Sequence, residues 1–372
     1  MKKICVVTAA RSEYGLLKWL MHDINADRCF QLQLVVTGGH LLKEQGCTIN
    51  AIREDGFKID AIVDSNLDTT STETIAASMG RMAERISKVF KELQPDLLIV
   101  LGDRYELLSI CSTAFIMRIP IAHICGGDVT EGAIDDGVRN AVTMMSDYHF
   151  PGTEDSAKNI ERMRGTNKNI WVVGEPGLDA FNRIKLMTRE QLADNLGLDI
   201  SKKWCLMTYH SETKNSLEYN IETVRNCIEC LECYDDLQVV MTYSNADFGG
   251  DKINEILETT TKRDPITFKV FSSLGQLRYL SFMKQVSFVL GNSSSGIVEA
   301  PFVGVPVVNI GNRQKGRFQC SNIIQCANSS ICIDAAIKDA LCKDIDKEDC
   351  FYWGEGKCSE NIIYFLKEEI FL

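Results

Sequence analysis

The chain has 372 residues, 45% hydrophobic and 24% charged, with a formal net charge of −11. This length suits two domains, and the acidic balance argues against a nucleic-acid partner, whose phosphates call for a basic surface. No apolar run reaches the ~18 residues of a membrane span; the opening MKKICVVTAARSEYG reads as strand, loop and helix rather than a signal peptide, so the expected location is cytoplasmic.

Ile4–Val7 reads as a buried strand, broken by Thr8-Ala9-Ala10-Arg11-Ser12-Glu13-Tyr14-Gly15 before a helix over 16–25. A strand leading through a loop to a helix N-terminus is an anion-site pattern. Arg11 is the natural partner for a phosphate there, because its fork holds two oxygens; the bland alternative is a solvated loop arginine. Leu32–Val36 is a second strand, ending at Thr37-Gly38-Gly39-His40, where the glycines admit a ligand or simply make a turn. Ile59–Val63 is a third. A helix follows with Ile75, Met79, Met82, Ile86, Val89 and Leu93 on one face, and Thr70-x-x-Glu73 has capping-box spacing before it.

The strand Leu97–Leu101 stops at Gly102-Asp103-Arg104, an amphipathic helix follows, and a second strand, Ile119–Ile124, ends in Gly126-Gly127-Asp128. Strand, helix, strand is the pattern of a parallel βαβ unit, and ligands collect at the carboxyl ends of such strands. Those ends carry Asp103, Arg104, His123, Asp128, Glu131, Asp135 and Asp136. A helix near Val138–Met145, a strand Tyr148–Pro151, a helix Glu154–Met163 and a strand Ile170–Val173 complete this half. Gly174-Glu175-Pro176-Gly177 reads as the hinge.

The second half repeats the alternation, with strands Trp204–Thr208, Leu237–Thr242, Ile266–Phe271, Phe288–Leu290 and Val307–Ile310 and helices over 216–231, 250–262 and 274–284. The expected fold is α/β, two doubly wound Rossmann-like domains with a central cleft: residues 1–175 with the catalytic acids, and 176–358 for the nucleotide. A C-terminal helix over 359–372 is expected to pack back on the first domain. Cys227, Cys230 and Cys233 fall on one helix face as small hydrophobes rather than metal ligands.

Two groups of residues carry chemistry. Gly291-Asn292-Ser293-Ser294-Ser295-Gly296 permits a tight strand-to-helix turn in which backbone N–H groups and the Ser293 and Ser294 hydroxyls cradle a diphosphate. Arg313 adds charge, and Glu299, a turn into the helix, is placed for ribose hydroxyls. Ser244, Asn245 and Gly296 are further substrate-binding candidates, as is Arg104 in the first half. Asp103, Asp128, Glu131 and Asp135 repel one another, which raises carboxylate pKa values and suits general acid–base catalysis; His210 serves as an acid or binds phosphate. No complete Walker A or G-x-G-x-x-G pattern is present.

Taken together, RSEYG at 11–15, LGDRYE at 101–106, HICGGDVTEGAIDD at 123–136, His210, GNSSSG at 291–296 with Glu299, and GNRQKGR at 311–317 resemble the UDP-N-acetylglucosamine 2-epimerases, especially the hydrolysing branch of sialic- and legionaminic-acid synthesis. The resemblance implies a glycosyltransferase-B-like fold. It implies Ser293, Ser294, Arg313 and Arg11 on the diphosphate, Glu299 on the ribose, Asp103 and Asp135 acting on the sugar, and His210 beside the pyrophosphate. The implied reaction expels UDP from UDP-N-acetylglucosamine or a 2,4-diacetamido-trideoxy analogue through a 2-acetamidoglucal, and water then gives the free 2-epimeric sugar. No cofactor or metal is implied; the enzyme is expected to be a homodimer or homotetramer with no nucleic-acid or membrane partner. Cys125 departs from the pattern, standing where relatives carry glutamate or histidine, and Asp128 replaces a usual glutamate. His210-Ser211-Glu212-Thr213 is closer to the hydrolysing H-P-x-T than to the non-hydrolysing H-R-x-E-N. A glycosyltransferase of the same architecture and a non-hydrolysing epimerase are the alternatives.

Overall fold

Six short runs, mostly buried, make the first sheet: β1 (Lys2–Thr8), β2 (Phe30–Thr37), β3 (Ala61–Val63), β4 (Leu97–Leu101), β5 (Ile121–Ile124) and β6 (Tyr148–Phe150). The computed structural model describes all residues except 43–46, 130–133, 213, 245–248, 344, 346–350 and 372. All described pairings are parallel, in the order β3-β2-β1-β4-β5-β6. Helices α1 (Arg11–Ala26), α2 (Ile49–Glu54), α3 (Thr72–Leu93), α4 (Glu106–Ile116), α5 (Ile134–Met145) and α6 (Glu154–Arg164) alternate with these strands. Because side chains alternate across a strand, Ile4 and Val6 enter one core with Tyr14, Leu17 and Met21 of α1, while Cys5 and Val7 enter another with Met82, Ile86 and Phe90 of α3. Each fully buried aliphatic side chain contributes roughly 1.5–3 kcal/mol, so a sheet covered on both faces needs continuous apolar strands.

After α7 (Asp179–Arg183) and α8 (Arg189–Leu196), the pattern recurs. The strands are β7 (Lys203–Thr208), β8 (Leu237–Thr242), β9 (Phe268–Phe271), β10 (Phe288–Gly291), β11 (Val307–Ile310) and β12 (Ile323–Cys326). The helices are α9 (Leu217–Leu231), α10 (Gly250–Arg263), α11 (Gly275–Met283), α12 (Ser295–Phe302) and α13 (Ser330–Cys342). The sheet is again parallel, in the order β12-β11-β10-β7-β8-β9, which is the first order repeated. Cys205 and Met207 face α9, α10 and α13; Trp204 and Leu206 face α8 and α11. In both sheets the strand order reverses once, between β1 and β4 and between β7 and β10. Such switch points leave a crevice at the carboxyl ends.

The chain forms two compact units, 1–180 with 354–372, and 181–353; these limits differ by five residues from the expected 175 and 358. The last helix, α14 (Cys358–Phe365), continues as a π-turn over Leu366–Ile370. Cys358, Ile362 and Leu366 join the core that holds α1. Buried Asp179 caps this helix, accepting from the N–H groups of Cys358 (2.7 Å) and Ser359 (2.8 Å).

Other expectations are corrected. Helix α1 starts at Arg11, so the segment read as a loop is its first turn. The cap of α3 is Ser71 with Thr74, each side chain accepting from the other's N–H, rather than Thr70 with Glu73. Ile170–Val173 is not a strand: Ile170 makes one isolated bridge to His149. The edge strand β12 and helices α2, α7, α8 and α13 are elements beyond those the sequence reading gives. Cys227 and Cys230 pack into the core, but Cys233 lies past the end of α9 and is exposed.

Candidate active site

At the end of β4, Gly102 turns the chain with φ +79° and presents Asp103. The carboxylate of Asp103 accepts from the guanidinium of Arg139, on α5. Arg139 also donates to Asp136 Oδ1 at 2.7 Å and to the Asp128 carbonyl at 2.8 Å, with only 5% of its side chain exposed. The Asp128 carboxylate accepts from the Ser156 hydroxyl at 2.6 Å. The crowded acids are therefore not simply repelling one another, because a buried cation ties Asp103, Asp136 and the Asp128 backbone together. Asp135 is pushed above its usual range by burial and next by the charge of Asp103, with Arg139 opposing. Glu131 lies outside the described residues.

His123 acts beneath this edge. Its Nε2 lies 2.8 Å from the Gly102 carbonyl, which only accepts, so Nε2 carries the proton and Nδ1 accepts from the Thr143 hydroxyl at 3.1 Å. Burial holds the ring neutral, with a pKa near 4. The imidazole thus orients the turn that carries Asp103. Gly126 makes room for it, since a Cβ there would stand 2.9 Å from Nδ1. Arg104 is committed to fully buried Glu106, donating through Nε at 3.1 Å and through Nη2 at 2.7 Å.

The N-terminus of α1 is not an open anion site. The Glu13 carboxylate accepts from the N–H groups of Ala9 (2.7 Å) and Ala10 (3.0 Å), taking the place a bound anion would fill. Arg11, the first residue of the helix, is exposed. The Gly38 turn is also structural: a Cβ there would lie 2.8 Å from the Ala9 carbonyl. Burial raises Glu13 to about 7 from 4.5, so the folded protein binds this proton more tightly than the unfolded chain does. The stability this group contributes is full below pH 4.5 and is lost as pH rises through 7, a swing of about 3 kcal/mol. Glu13→Gln is expected to flatten the wild-type stability slope over that window in chemical denaturation; an unchanged slope would refute the assignment.

In the second unit the switch point is built on Asn292, which is fully buried. Its Oδ1 accepts from the His210 N–H (2.7 Å), its Nδ2 donates to the His210 carbonyl (2.8 Å), and its own carbonyl accepts from Arg313 (3.2 Å) and Gln314 (2.8 Å). One residue, through its side-chain amide and its backbone carbonyl, therefore joins the ends of β7 and β10 and the loop after β11. Gly291, at φ +137°, is required before it, because a Cβ would meet the Thr208 carbonyl at 2.0 Å. Ser294 stands exposed at the N-cap of α12 without a side-chain capping bond, and the Ser293 hydroxyl accepts from the Ser295 N–H and hydroxyl. Gly296 packs against Val307, where a Cβ would stand 3.0 Å from Cγ1. His210 is held near pKa 4, mainly by burial and also by Arg313, so it is neutral near pH 7. Glu299 sits half-exposed on α12, with its carboxyl pushed up by burial and Arg317 opposing. Ser244 is buried; its N–H donates to Asn254 Oδ1 at 2.8 Å, and its hydroxyl has no partner among the described residues. Asn245 lies outside the described residues.

The structure thus groups Asp103, Asp128 and Asp135 at one sheet edge and His210, Ser293, Ser294, Gly296 and Arg313 at the other sheet's switch point. The family model for UDP-N-acetylglucosamine 2-epimerases matches residues 22–367. The chain belongs to the UDP-N-acetylglucosamine 2-epimerase family. The GDP/UDP-N,N'-diacetylbacillosamine 2-epimerase (hydrolyzing) of Campylobacter jejuni is 36% identical over 87% of this chain and 84% of its own length. The UDP-N,N'-diacetylbacillosamine 2-epimerase (hydrolyzing) of Legionella pneumophila is 31% identical over 98% of this chain and 96% of its own. In fold, the chain is similar to the UDP-GlcNAc 2-epimerase of Neisseria meningitidis solved with UDP-GlcNAc, with a TM-score of 0.79, 18% identity, and coverage of 98% of this chain and 99% of that one. The expected pair of Rossmann-like domains is confirmed.

Several groups in this epimerase were not singled out from sequence. Arg139 is the foremost; its signal was the i, i+3 spacing from Asp136 on a helix. Glu212 is another: it is buried and accepts from the Asn312 N–H at 3.0 Å and from Asn215 Nδ2 at 2.7 Å, fixing the loop that carries Arg313. A Cβ at Gly311 would stand 2.1 Å from its Oε1, so glycine makes that approach possible.

Proposed function

We propose that this chain is a hydrolysing 2-epimerase that converts a UDP-linked 2,4-diacetamido-trideoxy sugar into UDP and the free 2-epimeric sugar, with UDP-N-acetylglucosamine the alternative substrate. The observation that carries this reading is the likeness, over most of the chain, to two relatives both named as hydrolysing diacetylbacillosamine 2-epimerases.

The chemistry divides into two steps. In the first, a carboxylate takes the C2 proton, the C2–H electrons form the C1=C2 bond, and the C1–O bond breaks with its pair leaving on UDP. In the second, water adds its oxygen to C1 and a carboxyl returns a proton to C2 on the opposite face. Asp135, raised above the usual carboxylate range, is suited to holding that returning proton. Asp103, beside Arg139, acts as the base that activates the water, and Asp128 and Glu131 complete the acid–base group. Ser293, Ser294, Gly296 and Arg313 hold the diphosphate and Glu299 binds ribose; Arg11, Arg104, Ser244 and Asn245 are the further candidates for contact with substrate. Neutral His210 donates a hydrogen bond to the departing phosphate oxygen, where developing charge makes such a donor most effective. The overall change is redox-neutral and takes no cofactor.

The same reading makes the protein a cytoplasmic homodimer or homotetramer, which light scattering at working concentration tests. Incubating the full chain with each UDP-sugar and no acceptor is expected to release UDP, faster from the diacetamido substrate. Release only with an added acceptor sugar favours a glycosyltransferase, and an intact 2-epimeric nucleotide sugar favours the non-hydrolysing branch.

A further inference from the structure

Beside the acids already named, the carboxyl end of the first sheet carries one more carboxylate, Glu175. The backbone brings it there. The Trp171 N–H donates to the His149 carbonyl at 3.0 Å, and the Val173 N–H donates to the Pro151 carbonyl at 3.0 Å, so 171–173 runs alongside β6 and past its end. On the other side of β6, the Cys125 N–H donates to the Phe150 carbonyl at 3.0 Å. Cys125 and Glu175 therefore flank the tip of one strand, and their side chains meet there, with the thiol donating to Glu175 Oε2 at 3.7 Å.

The surroundings are shaped for this meeting. A Cβ at Gly152 would stand 2.0 Å from Glu175 Oε1, so only glycine leaves the carboxylate its place. Gly174 turns the chain with φ +88° just before Glu175, and Gly354, on the returning C-terminal segment, packs so closely that its Cβ would lie 2.7 Å from the Gly174 Cα. Cys125 itself holds φ +58°, a left-handed conformation that costs a residue with a Cβ about 1–2 kcal/mol. Such strain persists where the surrounding structure over-determines it, and it clusters at functional sites. Burial first, then Glu175, Asp128 and Asp103, hold the thiol protonated, so it stays a donor. Both residues are half-buried, with Cys125 packed against the core that holds α1.

We propose that Glu175 is a proton-transfer residue of this edge, the base that takes the C2 proton in the elimination step, and that Cys125 is the positioning residue that sets its basicity. The proposal rests on the hydrolysing reading and deepens it. The oxygens of Asp103 and Asp136 are engaged by the Arg139 guanidinium. Glu175 meets a thiol, a weak donor, which aligns the carboxylate without quenching its basicity. In the step, the C2 proton moves to a Glu175 oxygen, the C2–H pair becomes the C1=C2 bond, and UDP departs with the C1–O pair. Glu175 then holds the proton until solvent removes it, and a different group delivers the new proton to the opposite face.

The test uses the full chain with Glu175→Gln, assayed for each half of the reaction. UDP release is expected to fall by at least about 100-fold with KM held, while hydration of added 2-acetamidoglucal stays within about threefold of wild type. Cys125→Ser supplies a stronger donor, stabilises the carboxylate and is expected to move the acidic limb of kcat to lower pH; Cys125→Ala is expected to move it to higher pH. A smaller loss of UDP release, an equal loss of both halves, or an acidic limb that neither Cys125 variant moves overturns the proposal. Wild-type protein that releases no UDP overturns the hydrolysing reading instead, and that is known before any variant is made.

Discussion

Asp103→Asn is expected to lower free-sugar formation by ~10²–10⁴-fold, the range for a positioned acid–base group, while UDP still leaves and 2-acetamidoglucal accumulates. The side chain keeps its size, and its amide oxygen still accepts from Arg139, so the turn after Gly102 keeps its shape. What is lost is a charge, with two consequences. Asparagine cannot take a proton from the water that adds at C1. Asp135, whose carboxyl is raised partly by the charge of Asp103, also falls back toward its ordinary range and becomes a poorer proton donor at neutral pH. Both effects fall on the hydration half. Chromatography of UDP, glucal and free sugar from one reaction reads all three species, with thermal unfolding as the control for folding. Free sugar formed at the wild-type rate by a folded variant would remove Asp103 from the chemistry.

Arg139→Leu is expected to damage both fold and activity. The guanidinium is 5% exposed and bonded to two carboxylates and a backbone carbonyl. Taking one partner from a buried ion pair costs about 3–5 kcal/mol; the lower end applies here, because Asp103 and Asp136 each keep about 30% of their side-chain surface in water. For a unit of this size that corresponds to a fall in Tm of roughly 6–12 °C. The loss has a pH signature. Without the cation that opposes burial, Asp135 is pushed further up, so the folded variant binds its proton more tightly than the unfolded chain does. The contribution of Asp135 to its stability is therefore full in acid and falls as pH rises, so the gap to wild type widens toward alkaline pH. A Tm deficit that is absent, or that narrows as pH rises, would contradict the role given to Arg139.

Legibility in the sequence followed burial. Leu97–Leu101, Leu237–Thr242 and Val307–Ile310 are legible to the residue, because a parallel strand covered on both faces is buried along its whole length and mostly apolar. The edge strand Ile323–Cys326 is only partly buried, with Gln325 exposed, so the burial that marks the central strands is missing there. Ile170–Val173 has the composition of a strand but forms one isolated bridge, Ile170 to His149, and then runs past the end of β6, a tertiary outcome that composition does not encode. The start of helix α1 is hidden in the sequence because Arg11-Ser12-Glu13 looks like a polar loop; its beginning is set by Glu13 folding back onto the Ala9 and Ala10 amides. In the site, the acids and the serine turn stood out because polar residues ended apolar strands. The groups that hold them in place did not. Arg139 and Asn292 act through partners 36 and 82 residues away, Asp103 and His210, and nothing in local spacing announces such a bond.

The central claim, elimination followed by hydration, is tested most directly by proton NMR of the purified chain in D₂O with UDP-linked 2,4-diacetamido sugar, and in parallel with UDP-N-acetylglucosamine. The account predicts UDP together with a free 2-epimeric sugar whose C2 position carries deuterium from solvent. A free sugar that retains its C2 hydrogen, or a product still joined to UDP, would contradict it.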